Sequence, residues 1–178
     1  MAELNENRTT AYAAALFAVA RAEGPLSEVE DELFRVAQVL RGNDELRDTL
    51  ADPHIPVTTR QQVIVDLLGG RAQPATVSLV AMVVGNGRAR ELPAIVDELV
   101  AMTARQAGKE VAEVRSAITL TADQRSRLAD ALGQATGKQV EIKVIVDPSI
   151  RGGIVAQIGD TVIDGSIRRR IDQLKHAI

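Results

Sequence analysis

The sequence predicts an α+β protein in which an N-terminal six-helix bundle precedes a small C-terminal α/β domain with a β-hairpin and a terminal helix. Two observations predict this class. Up to about residue 107, apolar residues recur at helical spacing in segments that short Gly- or Pro-containing loops separate. From residue 111 onward, short apolar runs alternate with a period of two. The predicted domains are therefore 1–107 and 108–178.

Charge divides at the same place. Residues 1–107 carry 10 Lys and Arg against 15 Asp and Glu, a net charge of −5. Residues 108–178 carry 11 against 9, a net charge of +2. We therefore expect the two domains to face partners of different charge, although charge does not identify those partners.

The first three predicted helices follow from their breakers and caps. The first runs from Ala11 to Arg21 and ends before Gly24-Pro25. The second, 27–41, begins with an acidic turn and has one apolar stripe. Asp44 is the predicted N-cap of a short third helix that reaches Leu50. The stripe of the second helix consists of Val29, Leu33, Val36 and Leu40.

Three further helices complete the predicted bundle. Thr58 is the predicted N-cap of the fourth, with Gln61 three residues later and a Gly-Gly stop. The fifth begins near Pro74 and ends at Asn86-Gly87, and its almost wholly apolar sequence predicts a central position. The sixth runs from about Arg90 to Ala107, with a proline in its first turn.

The second domain combines strands with helices. A strand from Val111 is predicted to place Val114, Ile118 and Leu120 on one face. A helix follows, with Thr121 and Gln124 as a capping box and Gly137 beyond its end. The Gly159-Asp160 step fits a type II′ turn. The remaining predicted elements are an alternating strand with Val140, Ile142, Val144 and Val146 on one face, and a terminal helix with an Ile167, Ile171, Leu174 and Ile178 stripe.

Composition excludes several classes of site. The chain has no cysteine, so thiolate metal sites and cysteine nucleophiles are impossible. Its two histidines, His54 and His176, form no metal-binding pattern. Ser149 and Ser166 have no base arranged beside them. The apolar run 11–20 is too short to span a bilayer. We therefore expect no catalytic residue, no metal and no cofactor.

The stretch 147–175 contains a Gly-Gly pair and three consecutive arginines. Its glycines lack P-loop spacing and lie between predicted strands, which disfavours a phosphate site. Nucleic-acid binding through Arg168, Arg169 and Arg170 stays an alternative. It is weakened because this domain has no aromatic residue to stack on a base and the whole chain is acidic. A solvated or protein-binding helix face is the favoured interpretation.

Three segments together resemble a known family. VIVDPSIRGGIVAQIGDTVIDGSIRRRIDQL resembles the C-terminal signature of the delta subunit of bacterial F-type ATP synthase, which is equivalent to the mitochondrial oligomycin-sensitivity-conferring protein. AYAAALFAVA resembles the first helix of that family, and NGRARELPAIVDELV resembles the junction between its fifth and sixth helices. The resemblance covers essentially the full chain.

The resemblance implies a non-catalytic subunit of the stator, or peripheral stalk. In that family the N-terminal bundle receives the N-terminal helix of an α subunit on the catalytic head, and the C-terminal domain joins the b subunits. The protein thereby holds the head against rotor torque, so that proton transport drives ATP synthesis. The implied location is the cytoplasmic face of the bacterial cell membrane, which the chain reaches only through its partners. The resemblance implies no nucleic-acid partner.

An alanine-rich first helix leaves a shallow groove in which another amphipathic helix can lie. The predicted residues of this α-binding groove are Tyr12, Ala15, Val19, Val77 and Val80, with Tyr12 as the aromatic anchor. For each of these residues, filling the core of the bundle is the alternative interpretation. Arg168 and Arg169 are the predicted residues for the b subunits.

Overall fold

The structure is a computed structural model that describes residues 2–150 and 152–165, with side chains from residue 8 onward. The chain divides into two compact units, 1–103 and 104–178. The predicted domain boundary after residue 107 stays a prediction. Seven helices and four strands lie in the described ranges, which confirms the α+β class. They are α1 Ala2–Glu23, α2 Leu26–Gly42, α3 Asp44–Ala51, α4 Val57–Leu68, α5 Pro74–Gly85, α6 Leu92–Gln106, β1 Glu110–Ser116, α7 Ala122–Thr136, β2 Val140–Val146, β3 Ile154–Ile158 and β4 Thr161–Asp164.

The apolar stripes of the first unit point into its core. Val29, Leu33 and Leu40 of α2 are buried as the spacing predicts, together with Phe34, but Val36 of the same predicted stripe is only half-buried. Helix α5 contacts α1, α2 and α4, in agreement with the central position that its apolar sequence predicts. Because α1 and α5 are neighbours, the two helices that carry the predicted groove lie side by side.

Two predicted helix caps are wrong. Asn43, not Asp44, caps α3, because its side-chain oxygen accepts a hydrogen bond from the Leu46 N–H at 2.9 Å. Thr58 does not cap α4. That helix begins at Val57, with the cap position two residues earlier than predicted, because Pro56 has an extended ψ of 140° and its carbonyl accepts the Thr59 N–H at 3.0 Å. The predicted stop at Gly69 is confirmed.

The N-terminus of α5 is held by a carboxylate from another helix. Glu32 of α2 accepts the backbone N–H of Gln73 at 2.9 Å and the hydroxyl of Thr76 at 2.6 Å. Thr76 is fully buried. Glu28, one turn earlier on α2, accepts the Gln73 side-chain amide at 2.9 Å. A negative charge at this position also complements the helix dipole, so Glu32 joins α2 to α5.

The second unit contains a four-stranded mixed sheet in the order β2-β1-β3-β4. Strands β1 and β2 are parallel, and α7 makes the crossover between them. The β3–β4 pair is the predicted hairpin. Gly159 has φ of +53°, and no residue other than glycine has positive φ in the described ranges. Asp160 therefore has negative φ, which confirms the type II′ turn.

Strand β1 is shorter than its apolar pattern suggests. Val114 is buried as predicted, but β1 ends at Ser116, and Ile118 lies beyond it with 67% of its surface exposed. The prediction that Ile118 shares the buried face is therefore wrong. In β2, Val140 and Ile142 are buried, whereas Val146 at the strand end is exposed. The core on this face also includes Ala112, Leu132, Ala156 and Ile158.

Both predicted signals at the ends of α7 are confirmed. The Thr121 hydroxyl accepts the Gln124 N–H at 3.2 Å, and the Gln124 side chain accepts the Thr121 N–H at 2.9 Å. Gly137 ends the helix with φ of +72°. The chain then turns sharply, so that the carbonyl of Lys138 lies close to Gly133 in the last turn.

We expect Gly133→Ala to destabilise the second unit. Alanine favours a helix by about 1 kcal/mol over glycine, but a Cβ at this position would lie 2.9 Å from the Lys138 carbonyl oxygen. That backbone cannot move without disturbing the start of β2, so a net loss of about 1–2 kcal/mol is expected in urea unfolding. Gly42→Ala is the control, because its Cβ would meet nothing within 4 Å. Equal stability of Gly133→Ala and wild type would contradict this packing.

The predicted terminal helix, with its Ile167, Ile171, Leu174 and Ile178 stripe, lies outside the described residues. In the described part of the chain, no helix combines the length and the apolar character needed to cross a lipid bilayer.

Candidate partner-binding surface

One flank of α1 carries three of the predicted groove residues. Tyr12 and Val19 are half-buried, and Ala15 is exposed. The three positions fall within about 60° of the helix circumference at 100° per residue. Leu16 and Ala20 are fully buried on the adjoining face. The flank therefore lies at the edge of the core, where a small residue is accessible between two larger apolar ones.

Arg88 adds a cation to this flank. Its guanidinium carbon lies 5.0 Å from the centroid of the Tyr12 ring, which is within the range of a cation–π contact. Arg88 also forms an ion pair with Glu91, with 2.6 Å between Nη1 and Oε2. The hydrogen bond to Glu91, followed by the contact with Tyr12, raises the pKa of Arg88. The guanidinium thus orients the ring of Tyr12.

The predicted groove residues of α5 differ from each other. Val77 is half-buried, so part of its side chain is accessible. Val80 is fully buried. Its side chain therefore has the core-filling role that the sequence left as the alternative, and it offers no surface to a partner in this structure. Tyr12, Ala15, Val19 and Val77 stay predicted contact residues.

Helix α4 packs closely on α5 next to this surface. The side-chain amide of Gln61 donates a hydrogen bond to the Ala81 carbonyl at 3.1 Å. A Cβ at Gly85 would lie 2.5 Å from the nitrogen of that amide. The Gln61 side chain therefore lies directly against Gly85, and a larger residue there would displace it.

The prediction that this surface binds a helix stays a prediction, and three of its features are typical of such sites. It combines apolar side chains, one accessible alanine and an aromatic ring held by a cation. In the part of the chain that the structure describes, no three His, Asp or Glu residues are grouped so that they could hold a metal ion. Arg168 and Arg169, predicted for the b subunits, and Arg170 of the nucleic-acid alternative lie outside the described residues.

The sequence did not single out Arg88 as a site residue. Its signal was present in the segment NGRARELPAIVDELV, which contains both Arg88 and Glu91. The contact with Tyr12 joins residues 76 positions apart in sequence, so no local pattern predicts it.

The turn after β2 contains a carboxylate with a shifted pKa. Asp147 accepts the Ser149 hydroxyl at 2.6 Å and the Ser149 N–H at 2.9 Å. The hydroxyl bond first, then the backbone bond and the charge of Arg115, lower the pKa of Asp147. The ionised form is therefore favoured in the folded state.

We expect the stabilising effect of Asp147 to disappear in acid. Because its folded-state pKa is lowered, its contribution is fully present above the unfolded value, about 3.9, and is lost as pH falls through the lower folded value. Asp147→Ala should be less stable than wild type in urea at pH 6, and the difference should shrink at pH 3. Asp160→Ala is the control. A difference that is constant with pH for Asp147→Ala would contradict the assignment.

Comparisons with known proteins agree on one family. Residues 9–178 match the family described as ATP synthase delta (OSCP) subunit. ATP synthase subunit delta of Nocardia farcinica is 42% identical over 164 residues, which cover 92% of this chain and 61% of that protein. The corresponding protein of Salinispora tropica is 38% identical over 165 residues, which cover 93% and 60%. This chain thus spans about three fifths of the length of these relatives.

A solved structure shows the same similarity. A chain in the cryo-EM structure of the Toxoplasma gondii mitochondrial ATP synthase hexamer matches with a TM-score of 0.57 and 25% sequence identity. The match covers 95% of this chain and 96% of that chain. It therefore includes both the helical unit and the unit that contains the sheet.

Proposed function

Because this chain belongs to the ATP synthase delta (OSCP) subunit family, we propose that it is a non-catalytic stator subunit of an F-type ATP synthase. It links the catalytic head to the peripheral stalk, so that rotor torque drives ATP synthesis coupled to proton transport. The observation that supports this proposal is the family match, which runs from residue 9 to residue 178 and so includes both units.

The six helices α1–α6 serve in this proposal as one bundle on the head. The N-terminal helix of an α subunit lies along the flank of α1 next to α5. Two features support this placement: Ala15 is exposed between half-buried Tyr12 and Val19, and Arg88 holds the Tyr12 ring. An amphipathic helix would bury its apolar residues against this flank and lose little side-chain freedom there, since the ring is already oriented.

The C-terminal domain, predicted as 108–178, joins the b subunits in this proposal. Arg168 and Arg169 are proposed contacts on the basis of the sequence alone. The complex lies at the cytoplasmic face of the bacterial membrane, and this chain reaches the membrane only through its partners. No cofactor is required for this role.

Nucleic-acid binding by Arg168–Arg170 has no support from the relatives that the chain resembles. It would require an affinity that falls steeply with added salt. Retention on a DNA or RNA matrix at low salt, lost as salt rises, would favour it over the stator role.

Binding of a peptide tests the head contact. A synthetic peptide with the N-terminal sequence of the cognate α subunit is titrated into the chain in a calorimeter. We expect one peptide to bind per chain, with a negative heat-capacity change from apolar burial. A peptide of the same composition in scrambled order is the control, because charge alone would bind both. Absence of binding to the native peptide would contradict the proposed α contact.

A further inference from the structure

A second apolar surface lies away from the α1 flank, among α2, α3 and α4. It is a cavity of about 430 Å³, lined mainly by aliphatic side chains of these helices. Val39 of α2 is 56% exposed and Leu67 of α4 is 44% exposed at this cavity. Large apolar side chains exposed around a concave site indicate a ligand-binding surface rather than ordinary surface variation.

Three charged residues line this cavity, and only one of them, Glu32, has hydrogen-bond partners in the described part of the chain. Glu32 already accepts hydrogen bonds from Gln73 and Thr76 at the start of α5. Arg35 of α2 and Arg71, just after α4, also line the cavity. Neither guanidinium has a hydrogen bond or an ion pair to any residue that the structure describes. The lining thus holds two arginines without an ion-pair partner and one carboxylate, Glu32, whose hydrogen-bond donors are uncharged, so the cavity has a net positive charge beside its apolar walls.

This combination restricts the class of ligand. The apolar walls do not provide the two to four polar partners that an ordered water needs. The apolar walls instead favour a ligand with a hydrocarbon part, which they shield from water. The two arginines attract an anionic group, with which a guanidinium forms bidentate hydrogen bonds. A molecule with a single apolar chain and a carboxylate head satisfies both requirements. A cavity of 300–1,000 Å³ is typical for such small ligands.

We propose that the cavity among α2, α3 and α4 binds a free single-chain carboxylate of the fatty-acid class, with its tail against Val39 and Leu67 and its carboxylate between Arg35 and Arg71. The site is separate from the proposed stator contacts. Its test therefore does not depend on those contacts. If the fatty-acid site is disproved, the proposed stator function is unaffected, and the reverse also holds.

Titration of the full chain with decanoate, below the concentration at which it forms micelles, tests the proposal. We expect saturable binding of one molecule, with amide chemical-shift changes confined to α2, α3, α4 and the residues around Arg71. Octanoate should bind up to about fifteenfold more weakly, because it buries two fewer methylenes. 1-Decanol should bind more weakly than decanoate, since it lacks the charge.

Matched variants separate the walls from the charges. Leu67→Gln should weaken decanoate binding at least about fivefold. Val65→Gln should leave it unchanged, because Val65 lies on the same helix with a similar exposure of 43% but does not line the cavity. Arg35→Gln together with Arg71→Gln should remove the preference for decanoate over 1-decanol. Equal weakening by Leu67→Gln and Val65→Gln would overturn the site.

Two further results would also overturn the proposal. One is binding only to vesicles that contain anionic phospholipid and not to monomeric decanoate, which would indicate a membrane surface contact. The other is binding of the α-subunit peptide at this cavity with no response to decanoate, which would indicate a docking site for a protein helix.

Discussion

Replacing Ala15 with arginine is expected to weaken binding of the α-subunit N-terminal peptide at least about tenfold, a loss of ~1.4 kcal/mol. Ala15 is exposed on the α1 flank between Tyr12 and Val19. A long cationic side chain there occupies the space of the partner helix and must lose hydration when the helix binds. Alanine and arginine are both good helix formers, so the free energy of unfolding should change little. Calorimetric titration and urea unfolding measure the two effects separately.

Ala14→Arg is the matched control for this substitution. Ala14 is also exposed on α1 but lies about 100° further around the helix, away from Tyr12 and Val19. Its peptide affinity should stay within about twofold of wild type. If both variants lose affinity equally, the effect comes from the added charge. If neither loses affinity, the partner helix does not lie on this flank.

Replacing Glu32 with alanine is expected to destabilise the first unit by about 3 kcal/mol. The substitution leaves two polar groups without their acceptor: the Gln73 N–H and the hydroxyl of fully buried Thr76. It also removes a negative charge from the N-terminus of α5, which is worth up to about 1 kcal/mol. The midpoint of urea unfolding should fall with no change in slope.

Glu28→Ala is the control, because Glu28 lies one turn earlier and accepts only an exposed side-chain amide of Gln73. Its expected effect is below about 1 kcal/mol. A double substitution, Glu32→Ala with Thr76→Val, should recover part of the lost stability, since it removes the hydroxyl that would otherwise be buried without a partner. No difference between Glu32→Ala and Glu28→Ala would contradict the role of Glu32 as a cap between helices.

Local sequence signals predicted the elements whose causes are local. The capping box of Thr121 and Gln124, the left-handed Gly137 and the Gly159-Asp160 turn each depend on residues within a few positions, and all three are present. The predicted cap of α3 is one residue too late, because asparagine and aspartate have almost equal preference for the cap position and Asn43 directly precedes Asp44.

Contacts between residues that are far apart in the sequence could not be predicted from local patterns. Glu32 caps a helix that begins more than 40 residues later, and Arg88 contacts Tyr12 from another helix. The apolar alternation predicts a strand that includes Ile118, yet pairing with β2 ends at Ser116. Because the sequence of α5 is almost wholly apolar, it could not distinguish fully buried Val80 from half-buried Val77.

We propose that this chain transmits force between its partners and transforms no molecule. ATP-driven proton pumping in membrane vesicles that lack the chain, measured before and after the purified chain is added back, tests it most directly. We expect pumping to be absent without the chain and to return with it, while ATP hydrolysis by the catalytic head continues in both cases. Pumping at an undiminished rate in vesicles without the chain would contradict it.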